Sequence, residues 1–416
     1  MTFYNYVIVG GGLAGGKAVE GIREVDEIGS IALVTEEKHR PYHRPPLSKG
    51  YMLGQMQRED IYVQEADFYP TGHAITLLTD VAAANLDPEE QQLALADGRT
   101  LEYDRLLLAT GGTPKRLPLP GNDLPGVFTL RCVEDADAIK QLAKPERRAL
   151  VLGGSFIGAE TAAALAQLGL EVTIVFPESR LLERIVPEAM SELLHSRYAK
   201  HGVRILTEMT PARLEGDIKV ERAQLANDAV LDVDLVVMGV GIKLNTALAK
   251  KALLDMSAEG AILVDEMLRT SDPDIYAAGD IAAWPDVMFN KRVRVEHWDV
   301  ARGQGLRAGR NMAGEAKPYT AIPLFFSKLF GMHFMVLGDL SNWDEAILRG
   351  SLETEHFAYF YFHEGALVGT LATGRFEDKQ PELEQLLRIR PTQQTIADAL
   401  ANEVIELKTL IEQHSA

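Results

Sequence analysis

Three glycines at a regular spacing follow an apolar run close to the beginning of the sequence. Tyr6 to Val9 is apolar, and Gly10-x-Gly12-x-x-Gly15 comes directly after it. Glycine at these places permits a tight turn, close approach of the backbone to a pyrophosphate, and close packing of a helix on a strand. Residues 14–23 are predicted to form that helix, whose N-terminal N–H groups attract phosphate oxygens. The pattern predicts a dinucleotide-binding site.

A carboxylate follows at the place where such a site binds a ribose. The next apolar strand is predicted from Ser30 to Thr35, and Glu36 ends it, 21 residues after Gly15. A carboxylate in this position can accept hydrogen bonds from ribose hydroxyls. The alternative, a glycine-rich surface turn, is disfavoured by the complete order of strand, glycines, helix, strand and acidic residue.

The same pattern occurs a second time, beginning at Ala149. Leu150 to Leu152 leads into Gly153-Gly154-Ser155 and Gly158, then an alanine-rich helix to Leu168 and a strand from Val172 to Phe176. Such a repeat predicts two dinucleotide ligands. Glu178 is the candidate for the second ribose. Arg180 and Arg184 are near it in sequence but not adjacent, which favours NAD over NADP.

Other segments give weaker indications. Residues 40–49 contain three prolines and are predicted to be rigid and non-helical. Residues 74–108 are predicted to form a β-meander. A helix is expected from Asp299 to Ala313, two strands between His356 and Leu371, and one tail helix from Thr392. Apolar residues at helical spacing form a stripe along that tail helix, and we expect the stripe to pack on its own domain in preference to a dimer partner. The residues of the stripe are Ile396, Leu400, Val404, Leu407 and Ile411.

Composition excludes several classes of protein. The 416 residues carry a net charge of −18, which argues against nucleic acids and anionic membranes as partners. The apolar runs are too short to span a bilayer, and a cytoplasmic location is expected. Cys132 is the single cysteine, so an intrachain disulfide is impossible. No metal site is expected.

Together the motifs resemble the ferredoxin reductase type of flavoprotein, and most of all apoptosis-inducing factor and its bacterial relatives. The resemblance covers residues 4–375. Phe176-Pro177-Glu178, Val295-Glu296-His297 and Lys317-Pro318-Tyr319 favour the apoptosis-inducing-factor branch. The motifs that carry the rest are Gly10 to Gly15, Arg44-Pro-Pro-Leu-Ser-Lys49, Ala109-Thr110-Gly111-Gly112, Gly153 to Glu160, and Gly279-Asp280.

The resemblance implies an α/β fold with two Rossmann-like dinucleotide-binding domains, for FAD and NAD, and a C-terminal α+β domain that ends in the tail helix. It places the FAD-binding domain at residues 1–118 and 245–318, the NAD-binding domain at 119–244 and the C-terminal domain at 319–416.

It also implies the residues that bind FAD. Lys49 and Glu160 match the catalytic pair beside flavin N5, where the lysine stabilises negative charge and the carboxylate orients it. Phe326 stands where a tryptophan is usual, which retains a stacking surface but loses the N–H. The expected FAD contacts are Gly10, Gly11, Gly12, Leu13, Ala14, Gly15, Glu36, Arg44, Lys49, Ala83, Ala109, Thr110, Gly111, Arg131, Gly279, Asp280, His297, Trp298 and Phe326.

A second set of positions matches the residues that bind NADH. They are Gly153, Gly154, Ser155, Phe156, Ile157, Gly158, Glu178, Arg184, Gly241 and Glu296.

The activity implied is oxidation of NADH through flavin N5, with electrons passed directly to an external acceptor because a cysteine pair is absent. That acceptor is a ferredoxin or rubredoxin, a quinone or oxygen; Lys291, Arg292 and Arg294 are a candidate basic patch for an acidic protein partner. The alternative is a redox sensor like apoptosis-inducing factor, with a long-lived reduced complex and NADH-dependent dimerisation. An inert FAD-binding relative is disfavoured by Lys49, Glu160 and Glu178.

Overall fold

The computed structural model describes residues 1–69, 74–286 and 288–414, and the chain divides into two compact units. The first unit comprises residues 1–44, 57–113 and 242–321. The second comprises residues 45–56, 114–241 and 322–416.

The strands of both units are short, and most have a buried centre. In chain order they are β1 (Thr2–Val9), β2 (Ile31–Val34), β3 (Ile75–Leu78), β4 (Ala83–Asp87), β5 (Gln92–Leu95), β6 (Thr100–Leu108), β7 (Gly112–Pro114), β8 (Val127–Thr129), β9 (Arg148–Leu152), β10 (Glu171–Val175), β11 (Arg204–Leu206), β12 (Pro211–Glu215), β13 (Arg222–Leu225), β14 (Val230–Asp232), β15 (Leu235–Met238), β16 (Ile242–Leu244), β17 (Ile262–Leu263), β18 (Ile275–Ala277), β19 (Ala282–Asp286), β20 (Lys291–Val293), β21 (Leu324–Leu329), β22 (Met332–Gly338), β23 (Glu345–Ser351), β24 (His356–His363) and β25 (Ala366–Thr373).

The α-helices are α1 (Leu13–Arg23), α2 (Val133–Leu142), α3 (Phe156–Gln167), α4 (Glu188–Lys200), α5 (Ala247–Lys251), α6 (Trp298–Met312), α7 (Gln380–Ile389), α8 (Gln393–Ala401) and α9 (Leu407–His414). Short 3-10 helices lie at Pro45–Ser48, Glu59–Ile61 and Gly374–Lys379. Within the described residues, no helix has both the length and the apolar character needed to cross a membrane.

The first unit is built on a sheet with the strand order β3-β2-β1-β6-β5-β4, to which β18 is added beside β6. Strands β1, β2, β3, β6 and β18 are parallel, so their carboxyl ends lie along one edge. The predicted β-meander is wrong in its first part, because β3 pairs in parallel with β2 and only β4, β5 and β6 form antiparallel hairpins. An apolar run as short as β3 is compatible with either arrangement.

Helix α6 packs closely against α1. A Cβ atom at Gly305 would lie 2.3 Å from the carbonyl oxygen of Ala14, and one at Gly309 would lie 2.2 Å from that of Ala18. Any side chain at these positions would therefore push the two helices apart. The predicted helix in this region is confirmed, and it begins one residue earlier than expected.

The second unit contains a parallel sheet and an antiparallel sheet of similar size. The parallel sheet has the order β11-β10-β9-β15-β8, and a three-stranded antiparallel sheet, β12-β13-β14, follows β11 in the chain. The larger antiparallel sheet has the order β21-β22-β25-β24-β23. The predicted pair of strands between His356 and Leu371 is confirmed as β24 and β25.

The proline-rich segment and the tail differ from the sequence predictions. Pro45–Ser48 forms a 3-10 helix, since proline has a backbone angle suited to the first turn of a helix. The tail is not one helix: α8 and α9 are separated by residues 402–406, and Val404, predicted to lie on the apolar stripe, is 89% exposed. The other four stripe residues are buried, as expected for a tail that packs on its own unit.

Arg349 explains the break between α8 and α9. This buried side chain on β23 donates hydrogen bonds to the carbonyl oxygens of Leu400 at 3.0 Å, Asn402 at 2.9 Å and Ile405 at 2.6 Å. These carbonyl groups belong to the end of α8 and the turn after it, where helical partners are absent. The guanidinium therefore satisfies backbone groups that a continuous helix would have satisfied itself.

We expect Arg349→Met to lower the free energy of unfolding by about 2–3 kcal/mol, because the buried carbonyl group of Leu400 and the half-buried bonds to Asn402 and Ile405 lose their donor. Urea denaturation followed by circular dichroism measures the change. Arg388→Met, on an exposed position of α7, is the matched control and should change the unfolding free energy by less than about 0.5 kcal/mol. Equal effects of the two variants would contradict this role for Arg349.

Candidate functional site

The glycines of the first motif connect β1 to α1 at the carboxyl edge of the parallel sheet. Gly10 has a φ of +119°, and a Cβ atom there would lie 2.2 Å from the carbonyl oxygen of Ala109, so only glycine fits. Gly12 is the N-cap of α1 and leaves open space around its Cα. Backbone N–H groups at the N-terminus of α1 thus face an uncrowded place, which suits a pyrophosphate.

Two carboxylates follow β2, and the structure distinguishes them. Glu37 accepts hydrogen bonds from the Tyr42 hydroxyl and from Arg44, whose nitrogen lies 2.6 Å away. Glu36 is exposed and makes no hydrogen bond or ion pair within the described part of the chain. Glu36 is therefore available to a ribose, whereas Arg44 is already engaged by Glu37.

The other expected FAD contacts of the first unit lie on different strands. Ala109, Thr110 and Gly111 follow β6, and Gly279 and Asp280 follow β18, which pairs with β6. Both groups therefore lie at the same edge as the first glycine motif. Ala83 begins β4 on the antiparallel part of the sheet.

Gln304 supports the Gly279-Asp280 turn, and the sequence analysis missed it. Its side-chain oxygen accepts a hydrogen bond of 2.8 Å from the Gly279 N–H, and the residue is fully buried on α6. Its side-chain nitrogen has no partner within the described residues. A bound dinucleotide could accept a hydrogen bond from this buried amide nitrogen beside the Gly279-Asp280 turn. These residues therefore fit FAD.

His297 and Trp298 begin α6. The His297 ring accepts a hydrogen bond of 3.3 Å from the Asp299 N–H, which caps the helix. The Trp298 indole N–H donates to Nδ1 of His43 at 3.0 Å. Burial, and secondly the charge of Lys17, lower the pKa of His43, so its ring is neutral and can accept this bond. His43 was not foreseen, because it lies in the proline-rich segment, far from Trp298 in sequence.

The second glycine motif has the same geometry in the second unit. Gly153 also has a φ of +119°, and Ser155 is the N-cap of α3. The Ser155 hydroxyl donates to the carbonyl oxygen of Gly239 at 3.3 Å. Ile157 is exposed, whereas the Phe156 ring packs on Phe325 with the ring centroids 4.9 Å apart. The half-buried Phe156 ring is therefore part of an aromatic cluster with Phe325 and Phe334.

The remaining expected NADH contacts are divided between the units. Glu178 lies three residues after β10, with its carboxylate 3.6 Å from the exposed Arg184 guanidinium. Gly241 follows β15 with a φ of +93° and open space beside it. Glu296, by contrast, belongs to the first unit and pairs with Arg294 at 2.7 Å.

Three expected FAD contacts, Lys49, Arg131 and Phe326, belong to the second unit.

Lys49 and Glu160 form an ion pair in the second unit, although 111 residues separate them in sequence. The Lys49 Nζ atom lies 2.6 Å from Oε1 of Glu160, on α3. Glu160 is 6% exposed, and Lys49 is 22% exposed. The lysine charge is thus held at the surface of the unit by an almost buried carboxylate.

Two serines that sequence reasoning missed complete this cluster. The Ser48 hydroxyl donates to Oε2 of Glu160 at 2.7 Å, and the Ser327 hydroxyl donates to Oε1 at 2.6 Å. Burial, and secondly the charge of Glu160, raise the pKa of the nearby Tyr198 well above its ordinary value. Ser48 lies inside the Arg44 to Lys49 motif, whereas Ser327 stands beside the exposed Lys328 in β21 and has no local signal.

Cys132 is not placed for redox chemistry. It is half-buried at the N-cap of α2, and burial raises the pKa of its thiol to about 12. A thiol with such a pKa is protonated at neutral pH and is a poor nucleophile.

The chain belongs to the pyridine nucleotide-disulphide oxidoreductase family, whose model matches residues 4–305, and a reductase C-terminal domain matches residues 324–411. Proteins of this family use FAD and a nicotinamide nucleotide, so the chain is an FAD-dependent oxidoreductase of the ferredoxin reductase type. This confirms the resemblance, the fold class and the enzyme class expected from the sequence.

Particular relatives are similar over nearly the whole chain. Putidaredoxin reductase CamA of Pseudomonas putida is 32% identical over 98% of this chain and 96% of its own length. Apoptosis-inducing factor 3 of Mus musculus is 31% identical over 86% of this chain but 58% of its own length. A crystal structure of a covalent putidaredoxin reductase–putidaredoxin complex matches with a TM-score of 0.93, 31% identity and 99% coverage of both chains.

We expect Lys49→Met to slow reduction of the flavin by NADH by about 100-fold, because a positive charge that can stabilise the reduced ring is lost. Anaerobic stopped-flow absorbance of the FAD-loaded protein measures this rate. Lys328→Met removes an exposed lysine from β21 and is the matched control, expected to leave the rate within twofold of the parent. A Lys49→Met rate equal to that of the control would exclude a catalytic role.

Proposed function

We propose that this chain oxidises NADH and passes the electrons to a small iron–sulfur protein of the ferredoxin or rubredoxin kind. The Lys49–Glu160 pair with its two serine donors is the observation that carries the proposal. A lysine held at the surface of the second unit by a buried, fully hydrogen-bonded carboxylate has a fixed position and a permanent counter-charge. FAD, when bound, supplies the conversion of a two-electron hydride into single electrons for the acceptor.

The first glycine motif, Glu36, the Gly279-Asp280 turn and Gln304 would hold FAD in this proposal. The α6 N-terminus, with His297 and Trp298, would favour negative charge on the flavin through the helix dipole. The FAD-binding domain is proposed at residues 1–118 and 245–318, the NAD-binding domain at 119–244 and the C-terminal domain at 319–416. The first compact unit comprises residues 1–44, 57–113 and 242–321, and it includes most of the residues proposed for the FAD-binding domain.

The second glycine motif and Glu178 would hold NADH. A carboxylate accepts hydrogen bonds from a ribose diol and repels a 2′-phosphate, which favours NADH over NADPH. Arg184 is not adjacent to this carboxylate in sequence, but its guanidinium lies 3.6 Å away. Because Arg184 is 85% exposed and Glu178 is 30% exposed, the carboxylate is the better positioned of the two for a ribose.

The relatives support an iron–sulfur acceptor, since CamA is a putidaredoxin reductase and the matched crystal structure holds putidaredoxin. The basic patch considered in the sequence is a weak docking surface. Arg292 donates to the carbonyl oxygens of Val264 and Ala283, and Arg294 pairs with Glu296, so both guanidinium groups already have partners within the first unit.

We expect Glu178→Ala to raise the Kd for NADH by about tenfold, because the ribose loses hydrogen bonds to a charged acceptor. The same change should narrow the preference for NADH over NADPH. Titration of the FAD-loaded protein with both nucleotides measures these constants. Glu171→Ala removes an exposed carboxylate from the start of β10 and is the control, expected to leave the Kd for NADH within twofold of the parent. An unchanged NADH affinity for Glu178→Ala would move the ribose site elsewhere.

An anaerobic double-mixing experiment tests the acceptor. The FAD-loaded protein is reduced with NADH and then mixed with a ferredoxin, a rubredoxin, a quinone or oxygen. We expect NADH to reduce the flavin at least as fast as the enzyme turns over. Reoxidation of the reduced flavin by an iron–sulfur protein should be at least tenfold faster than its reoxidation by quinone or oxygen. Faster reoxidation by quinone or oxygen would overturn the iron–sulfur assignment. Slow reduction with a persistent long-wavelength band and dimerisation would instead support the redox-sensor alternative.

A further inference from the structure

We infer that His195 and Ser191 of α4 are positioning residues for the adenosine end of NADH, because they hold the segment that carries Glu178 and Arg184. This inference rests on the proposed NADH site and adds residues to it that do not contact the nucleotide. The segment, residues 176–187, connects β10 to α4 and is here called the ribose loop.

Both backbone polar groups of Leu181, in the ribose loop, are bonded to side chains of α4. The Leu181 N–H donates to Nε2 of His195 at 3.0 Å. The Ser191 hydroxyl donates to the carbonyl oxygen of Leu181 at 2.6 Å. Leu181 is fully buried and Ser191 is 1% exposed, so water cannot replace these bonds without opening the loop.

The next residue connects the ribose loop to the second glycine motif. The Leu182 N–H donates to the carbonyl oxygen of Gly154 at 3.1 Å, and Leu182 has a φ of +56°, which is unfavourable for leucine. A residue persists in such a conformation only where its surroundings hold it. The bonds to Leu181 supply that restraint, and they set the distance between the proposed pyrophosphate cradle and the proposed ribose carboxylate.

The remaining contacts of the loop are with nearby backbone groups or within the loop itself, where the Glu178 carboxylate pairs with the exposed Arg184 at 3.6 Å. The Glu178 carbonyl oxygen accepts from the Glu208 N–H at 3.0 Å, which fixes its backbone. The Ser179 N–H and hydroxyl both bond to Glu183, within the loop itself. The hydrogen bonds from α4 and from Gly154 therefore add to the Glu208 contact in positioning the part of the loop that carries Glu178 and Arg184.

His195 can act in this way only when its ring is neutral. Because Nε2 accepts a hydrogen bond, the ring proton must be on Nδ1. Burial lowers the pKa of His195 below its ordinary value of 6.5, and the exposed Glu192 on the same helix opposes this more weakly. In the loop, Arg180 and Glu183 pair with each other at 3.4 Å. The acceptor is consequently present at neutral pH and is lost as the pH falls through the lowered pKa.

Two substitutions separate positioning from simple stability. His195→Gln keeps an acceptor oxygen near the place of Nε2 but cannot titrate, and His195→Leu removes the acceptor. On the FAD-loaded protein at pH 7.5, we expect His195→Leu to raise the Kd for NADH about tenfold, with kcat at saturating NADH within twofold of the parent. His195→Gln should remain within twofold for both constants. His333→Gln, on an exposed position of β22, is the matched control.

The pH dependence gives the readout that a structural role would not move. As the pH is lowered from 7.5 to the lowest value at which the protein stays folded, the parent and the His333→Gln control should lose affinity for NADH, and His195→Gln should lose less. Equal pH dependence in the parent and His195→Gln would overturn the inference. So would a His195→Leu affinity within twofold of the parent. Should His195→Leu not fold, the comparison of the parent with His195→Gln still decides.

The result for Glu178→Ala distinguishes this inference from the proposed function. If Glu178→Ala weakens NADH binding and the His195 variants behave like the control, the ribose site stands and α4 does not position it. If Glu178→Ala has no effect, the proposed NADH site itself is wrong, and the inference falls with it.

Discussion

The burial of one carboxylate governs the arrangement of the second unit. Glu160 is almost inaccessible on α3, and a buried charge is tolerated only where donors replace the water it has lost. Those three donors come from two places in the chain: Lys49 and Ser48 from the proline-rich segment, and Ser327 from β21. This requirement accounts for residues 45–56 belonging to the second unit although they interrupt the first in sequence.

The two glycine motifs show how one scaffold serves two nucleotides. In register, Val9 lies opposite Val34 in the first copy and Leu152 lies opposite Val175 in the second. Glu178 is therefore in step with Glu37, not with Glu36, because Phe176 and Pro177 intervene. The first copy presents its carboxylate directly after the strand, whereas the second presents it from a loop that must be supported separately. Equivalent strands and glycines thus lead to ribose candidates at different positions.

Local patterns were sufficient wherever a residue acts through its own neighbours in sequence. The glycine turns, the parallel strands beside them and helix α6 follow from spacing and hydrophobicity, which local backbone geometry obeys. The errors occurred where short apolar segments had more than one partner available. Strand β3 joined the parallel sheet, and the tail broke at the carbonyl groups that Arg349 binds, a contact across more than 50 residues.

The sequence by itself determined the family, the two dinucleotide motifs and the absence of a disulfide pair, because those depend on residue identity and short-range order. Only the tertiary structure decided which polar residues support them. Ser327, Gln304, His43 and His195 each lie in unremarkable local sequence, and their partners are 14 to 255 residues away in the chain. Such hydrogen bonds arise from packing of distant elements, and the spacing along a single chain does not encode them in any local pattern.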